Sequence, residues 1–184
     1  MSWTFVITER ENAAAAAAEM RATHALGLLD PGVTHPALPG VPDARRLMLA
    51  VRDVEGVDET AAPSRPAIEA ILTWGRRLPA DARLLVHCEA GQARSPAAAL
   101  ALLAQALGVG REDEAARLVY AARGIAAPNR LMVRLVDEAL GCEGRLIAAA
   151  DSRSPWQTAP SGLILLRPAP SLGVAVDASG RGAR

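Results

Sequence analysis

The segment 84–108, LLVHCEAGQARSPAAALALLAQALG, limits the fold more tightly than any other part of the chain. An apolar run ends at His87-Cys88, a small glycine-containing loop follows, and an alanine- and leucine-rich stretch of high helix propensity starts straight after Arg94-Ser95. The run RLLVH reads as a short strand of the fully buried type, which needs cover on both faces of its sheet. A strand, a tight loop and a helix in immediate succession are the building unit of an α/β layer structure.

The rest of the chain agrees with that unit. WTFVIT (3–8) reads as a first strand, ERENAAAAAAEMRA as a helix by propensity alone, THALGLL as a second apolar segment and RRLMLAVRD (45–53) as a strand ending in Asp53. Between them, DPGVTHPALPGVPDA is a loop by its Pro and Gly content, and VEGVDETAAPS is another. RPAIEAILTWGRRL sets Ile68, Ile71, Leu72 and Leu78 at helical spacing. Trp74 falls on that helix and reads as core. Helices are expected from Ser95 to Leu107, Glu112 to Arg123 and Asn129 to Leu140, each followed by a glycine suited to a left-handed position past a helix end. The predicted architecture is α/β, with a central, largely parallel sheet of about four to five strands flanked by helices.

The domain is expected to span residues 1–150. From 151 to 184 the chain is rich in Pro, Gly and Ser, interrupted by the apolar patches GLILL and LGVAV, and reads as a tail that is disordered or packed as extended segments. Twenty basic and twenty acidic residues cancel, so no global field recruits nucleic acid or an anionic membrane, and any anion site must be local. No apolar run is long enough to cross a bilayer and the N-terminus lacks the pattern of a signal peptide, so the expected location is cytoplasmic. Three scattered histidines and two distant cysteines offer no ligand spacing, so neither a metal nor a cofactor is expected. A disulfide between Cys88 and Cys142 is disfavoured in a reducing compartment, and Cys142 reads as a small buried residue rather than a redox partner.

The loop carries the chemistry. Five residues separate Cys88 from Arg94, a spacing that lets thiol and guanidinium share one concavity while backbone N–H groups turn inward as an anion nest. The helix starting at Arg94-Ser95 adds unpaired N–H groups and the positive end of its dipole. All of these favour negative charge in one place, either a bound phosphate or a Cys88 thiolate. Taken singly, the residues also have plain structural readings, His87 as a satisfied core histidine and Ser95 as an N-cap.

HCEAGQARS resembles the HCxxGxxR(S/T) signature of the protein tyrosine phosphatase superfamily, and the chain is most similar to compact bacterial enzymes of the dual-specificity type. The resemblance implies that Cys88 is the nucleophile, that Arg94 clamps two phosphate oxygens with its planar fork, and that the Ser95 hydroxyl supports the departing thiolate. It assigns phosphate binding to the loop residues Glu89, Ala90, Gly91, Gln92, Ala93 and Arg94, and a supporting role to His87, which orients the loop. Gly91 matches the glycine that permits the tight turn. Gln92 is equally readable as a helper of the hydrolytic water or as a solvated loop residue.

Cleavage through cysteine needs an acid for the leaving oxygen, and in the family an aspartate upstream supplies it. Asp53 and Asp58 both fall in the right window. Asp53 directly follows the strand LMLAV and is preferred, with Asp58 as the alternative and Glu55 a distant third; Asp58 and Glu59 also read as solvated loop charges. The implied activity is a metal-free hydrolysis of phosphomonoesters through phosphocysteine, on phosphotyrosine and also phosphoserine or phosphothreonine in proteins. Glu89 and Gln92, where inositide-directed relatives carry lysines, disfavour multiply phosphorylated lipids. An inactive phosphate-binding module that docks phosphorylated partners remains the alternative, although such a module has no need of a nucleophile. Sulfur transfer of the rhodanese type is a further possibility, but its loop is usually one residue shorter. The low-molecular-weight phosphatases would require Asp137 as acid, within a segment that reads as helix.

Overall fold

The computed structural model describes residues 3–57 and 59–152, and the main chain of 164–165. Strands β1 (Thr4–Glu9), β2 (His24–Leu29), β3 (Arg46–Ala50) and β4 (Arg83–Cys88) pair in parallel in the order β3-β2-β4-β1. A two-residue strand, β5 (Ile164–Leu165), adds to the β1 edge antiparallel, with Phe5 opposite Ile164 and Thr4 opposite Leu165. The largely parallel α/β sheet expected from the sequence is therefore what forms.

Both faces are covered, as the burial of β2 along its whole length requires. On one face Phe5, Ile7, Leu26, Leu28, Leu84 and Val86 meet α2 (Arg65–Gly75), α3 (Arg94–Leu107), α4 (Glu112–Ala122), α5 (Arg130–Leu140) and α6 (Arg145–Asp151). α3 lies at the centre of this layer, and its alanine-rich sequence allows close approach: Arg94 through Ala104 are all buried. Across the sheet the cover is thinner. Ala25 and Leu85 pack against α1 (Ala13–Glu19) and against Leu38 and Val41 of the 30–44 segment.

That segment reads as a plain loop in the sequence, yet it is anchored. Leu38 and Val41 are buried, and Arg46 at the start of β3 reaches back, with Nη2 donating to the Leu38 carbonyl at 2.8 Å and Nε to the Val41 carbonyl at 2.8 Å. Other boundaries also shift. α1 is shorter than propensity suggests, because Glu9 still belongs to β1. β3 stops at Ala50, which leaves Asp53 on the following bend. Of the expected glycine stops, Gly141 takes the left-handed conformation past α5, whereas α4 ends on Arg123 in extended backbone and Gly124 has no positive φ. α6 has no counterpart in the sequence reading.

No helix among the described residues is long and apolar enough to cross a membrane. The patch LGVAV and the alternative acid Asp58 lie outside the described residues, as does GLILL apart from the main chain of β5. Replacing Arg46 with Met keeps its apolar stem but strands the Val41 carbonyl and leaves the Leu38 carbonyl only the Val41 amide, and is expected to lower stability by about 1–3 kcal/mol, read from the urea midpoint.

Candidate active site

Because four strands run parallel, their C-terminal ends meet at one edge, the usual place for a ligand crevice in an open α/β sheet. There β4 delivers Cys88, β2 delivers Asp30, β3 leads to the bend at Asp53, and β1 leads to Glu9 and Arg10.

The loop 89–93 is held by its carbonyls, each bonded to a donor outside it. The Glu89 carbonyl accepts from the Arg10 amide (3.1 Å), Gln92 from Ala127 (2.7 Å) and Ala93 from Asn129 (3.2 Å). The Arg123 guanidinium takes the middle pair, with Nη2 donating to Ala90 (3.3 Å) and Nε to Gly91 (3.2 Å). It is itself fixed by Nη2 on Glu9 Oε2 at 2.6 Å. The amides of Ala90, Gly91, Gln92 and Ala93 have no acceptor among the described residues. Gly91 adopts φ +66°, and a Cβ there would sit 2.7 Å from the Thr8 carbonyl carbon and 2.8 Å from the Glu9 nitrogen, so only glycine fits without moving β1.

Arg94 opens α3 and is buried at 4% exposure. Its Nη1 donates to the Asp30 carboxylate and, at 2.7 Å, to the Val51 carbonyl, while its buried Nε has no hydrogen-bond partner among the described residues and lies 3.8 Å from Asp53 Oδ2. One end of the fork is thus anchored and the other retains an unused donor. Asp30 is absent from the sequence reading, since a carboxylate beside Pro-Gly at a strand end is indistinguishable from a turn residue until β2 and β4 are adjacent.

Ser95 is not a helix cap. Ala93 occupies that position, and Ser95 Oγ donates to Cys88 Sγ at 3.1 Å, both side chains being buried. Asp53 is partly exposed and accepts from Asn129 Nδ2 at 2.9 Å. The same Nδ2 donates to the Val54 carbonyl, and Asn129 Oδ1 caps α5 by accepting from the Met132 amide at 3.0 Å. Asn129 therefore ties the Asp53 bend to the Cys88 loop, a role hidden in a sequence that offers it only as a helix start. Glu55 faces the Arg130 amide instead.

The other loop side chains point outward. Glu89 pairs with Arg10 at 3.2 Å on the rim, and Gln92 is exposed. His87 is fully buried on the opposite face of the sheet from Cys88, and burial together with the neighbouring His35 pushes its pKa down to about 4. Residues weighed for other roles sit elsewhere. Asp137 is buried with its carboxylate accepting from the Gly144 and Leu146 amides, which makes it a cap for α6. Cys142 is buried, and burial followed by Glu112 beside it pushes its thiol up to about 11, so it is an inert core thiol. Trp74 packs on the core with its ring edge toward His24.

Neither a protein-family model nor a curated protein sequence matches the chain. Solved structures do. The chain is similar to human DUSP28 at 25% identity, covering 76% of this chain and 94% of that one with a TM-score of 0.52. It is also similar to the Yvh1 phosphatase domain from Chaetomium thermophilum at 25% identity, covering 75% and 92% with a TM-score of 0.54. PTPMT1 in complex with PI(5)P shares the fold at 16% identity, covering 79% and 91% with a TM-score of 0.52. Fold and loop together place the chain in the protein tyrosine phosphatase superfamily, among members of the dual-specificity type.

The buried histidine has a consequence for stability. Its pKa in the folded chain, about 4, lies below the ordinary 6.5, so as pH falls the unfolded chain takes the proton first. Stability is expected to decline from about pH 6.5 and to level off below about pH 4, with His24 and His35, also lowered chiefly by burial, adding in the same direction. Urea unfolding across this range should show the slope, and His87→Gln should reduce it.

Proposed function

We propose that the protein is a cysteine-dependent phosphomonoester hydrolase acting through a phosphocysteine intermediate. Its preferred substrate is phosphotyrosine in proteins or peptides, with phosphoserine and phosphothreonine also accepted. The reading rests on the main chain of 89–93, whose carbonyls are bonded away from Cys88 while four consecutive amides, Ala90 to Ala93, have no acceptor among the described residues. That is the arrangement a tetrahedral dianion requires.

In the first step the Cys88 thiolate attacks phosphorus in line with the leaving oxygen. The loop amides and the unused Nε of Arg94 receive the equatorial oxygens, where charge is concentrated in the transition state. Asp53, held by Asn129 and next to that Nε, gives its proton to the leaving oxygen. In the second step water attacks phosphocysteine, Asp53 takes a proton from it, and the Ser95 hydroxyl stabilises the returning thiolate through its bond to Sγ. Every group in the sequence is a side chain or amide of the chain itself, so the displacement proceeds without a metal.

The rim also bears on substrate choice. Glu89 neutralises Arg10 beside the mouth, so a second phosphate on the substrate meets a compensated cation rather than a free one. This supports a singly phosphorylated protein site over a polyphosphorylated lipid.

Turnover of an aryl phosphate with chelator present is the decisive measurement. Activity is expected to survive chelator, to be blocked by vanadate and to vanish in Cys88→Ser; substantial turnover in that variant would sink the assignment. Arg94→Lys keeps the charge but loses the fork, and should cost at least about tenfold in rate, equivalent to about 1.4 kcal/mol. Asp53→Asn should lower turnover of alkyl phosphates by about 10²- to 10⁴-fold and affect an activated aryl ester much less. Equal losses on both substrates would show that Asp53 does not protonate the leaving group.

A further inference from the structure

On the face of the sheet opposite Cys88, a row of cross-strand neighbours runs Met48, Gly27, His87 and Thr8 from β3 through β2 and β4 to β1. Gly27 has no side chain, and the His87 ring lies over the gap. The His35 ring, carried by the anchored 30–44 segment, packs edge-on against it with centroids 5.5 Å apart and planes at 75°. A Cβ on Gly27 would meet His87 Nε2 at 2.5 Å, His35 Nδ1 at 2.7 Å and Met48 Sδ at 2.7 Å. The two nitrogens therefore face one another across the bare glycine. Among the described residues neither they nor His87 Nδ1 has a hydrogen-bond partner of good geometry, all three atoms are buried, and the Cys88 main chain is the neighbour that favours a proton on His87.

Two imidazoles with unsatisfied, buried nitrogens are an expensive arrangement in a core that could hold leucine. His87 is joined by one peptide bond to Cys88, so a change at its ring that displaces its main chain reaches the base of the phosphate-binding loop. We propose that His35 is a positioning residue for the active site, acting through His87: its ring closes the space over Gly27, keeps water from His87 and so holds that ring neutral and in place beneath the loop. The inference deepens the phosphatase reading by naming what governs its response to acid.

The charges around His87 are few. His35 faces it from the 30–44 segment and Arg10 from the turn after β1, while Gly27, Met48 and Thr8 on the three neighbouring strands carry none. Burial is the largest cause that disfavours a proton on His87; a charge on His35 and the Arg10 guanidinium act in the same direction, and the Cys88 main chain acts against them. It follows that the volume of the His35 ring matters more than its nitrogen, and the two can be separated by substitution.

The experiment follows the C–H signals of the three histidines by NMR between pH 4 and 8 in the full chain carrying Cys88→Ser, assigned by substitution, alongside the pH profile of kcat/KM in the active chain. His35→Ala opens the space, and the His87 titration midpoint is expected to rise by at least about one pH unit toward its ordinary value, with the acid limb of kcat/KM rising in step. His35→Phe restores the cover and should return both close to the parent. An unmoved His87 midpoint in His35→Ala, or a shift in His35→Phe as large as in His35→Ala, overturns the proposal. So does an acid limb that ignores a shifted midpoint. If His35→Ala fails to fold, His35→Asn, also smaller than imidazole, is read in its place. The NMR arm does not depend on turnover, so an inactive parent with the predicted His87 shifts would refute the phosphatase reading and leave the burial role of His35 standing.

Discussion

A peptide unit directs its C=O and N–H to opposite sides, so holding the carbonyls of 89–93 outward is the same act as aiming the following amides inward. Everything else at the site depends on that constraint. The donors that impose it come from separate places: the turn after β1, the end of α4, and the link between α4 and α5. Arg123 contributes most, because one guanidinium serves two adjacent carbonyls and is locked by Glu9. An anion site built from amides carries no net charge of its own, which suits a chain whose charges cancel overall.

The one cation placed inside the site is treated differently. Burying Arg94 without a partner would cost several kcal/mol, on the order of what an unpaired charge loses on desolvation. Asp30 and the Val51 carbonyl offset this at one end of the fork, and Asp53 stands near the other. The guanidinium is thereby held in one plane before any ligand arrives, and a group already ordered loses less on binding. Asn129 links this arrangement to the loop, since it bonds Asp53 with its side chain and the Ala93 carbonyl with its amide. The two sides of the sheet then divide the electrostatic work. Charge is concentrated and paired above the strand ends, whereas His87 below is fully buried with its pKa pushed down to about 4.

How much of this can be read without coordinates follows from the range of the interactions involved. The run from Leu84 to Gly108 states its structure locally: an apolar strand, a loop whose glycine permits the turn, and a helix of strong formers. Cys88, Arg94 and Ser95 fall within one such local unit, so their proximity is set by a handful of dihedral angles, and the pattern was legible. The parallel sheet was legible too, because alternating strands and helices leave few other ways to bury both faces. Asp53 could be placed only near a strand end, and what fixes it is a residue 76 positions later.

The sequence by itself thus determined the α/β class and the contiguous loop with its thiol, guanidinium and hydroxyl, since these depend on local conformation and on hydrophobic pattern. Tertiary structure alone decided which residues complete the site. Asp30, Arg123, Asn129 and His35 each resemble ordinary turn, helix-end or loop residues in isolation. The first three become parts of the site because the strand order β3-β2-β4-β1 brings the ends of distant segments to one edge, and because buried charges and carbonyls must find partners wherever the fold has placed them, whereas His35 meets His87 on the opposite face of the sheet.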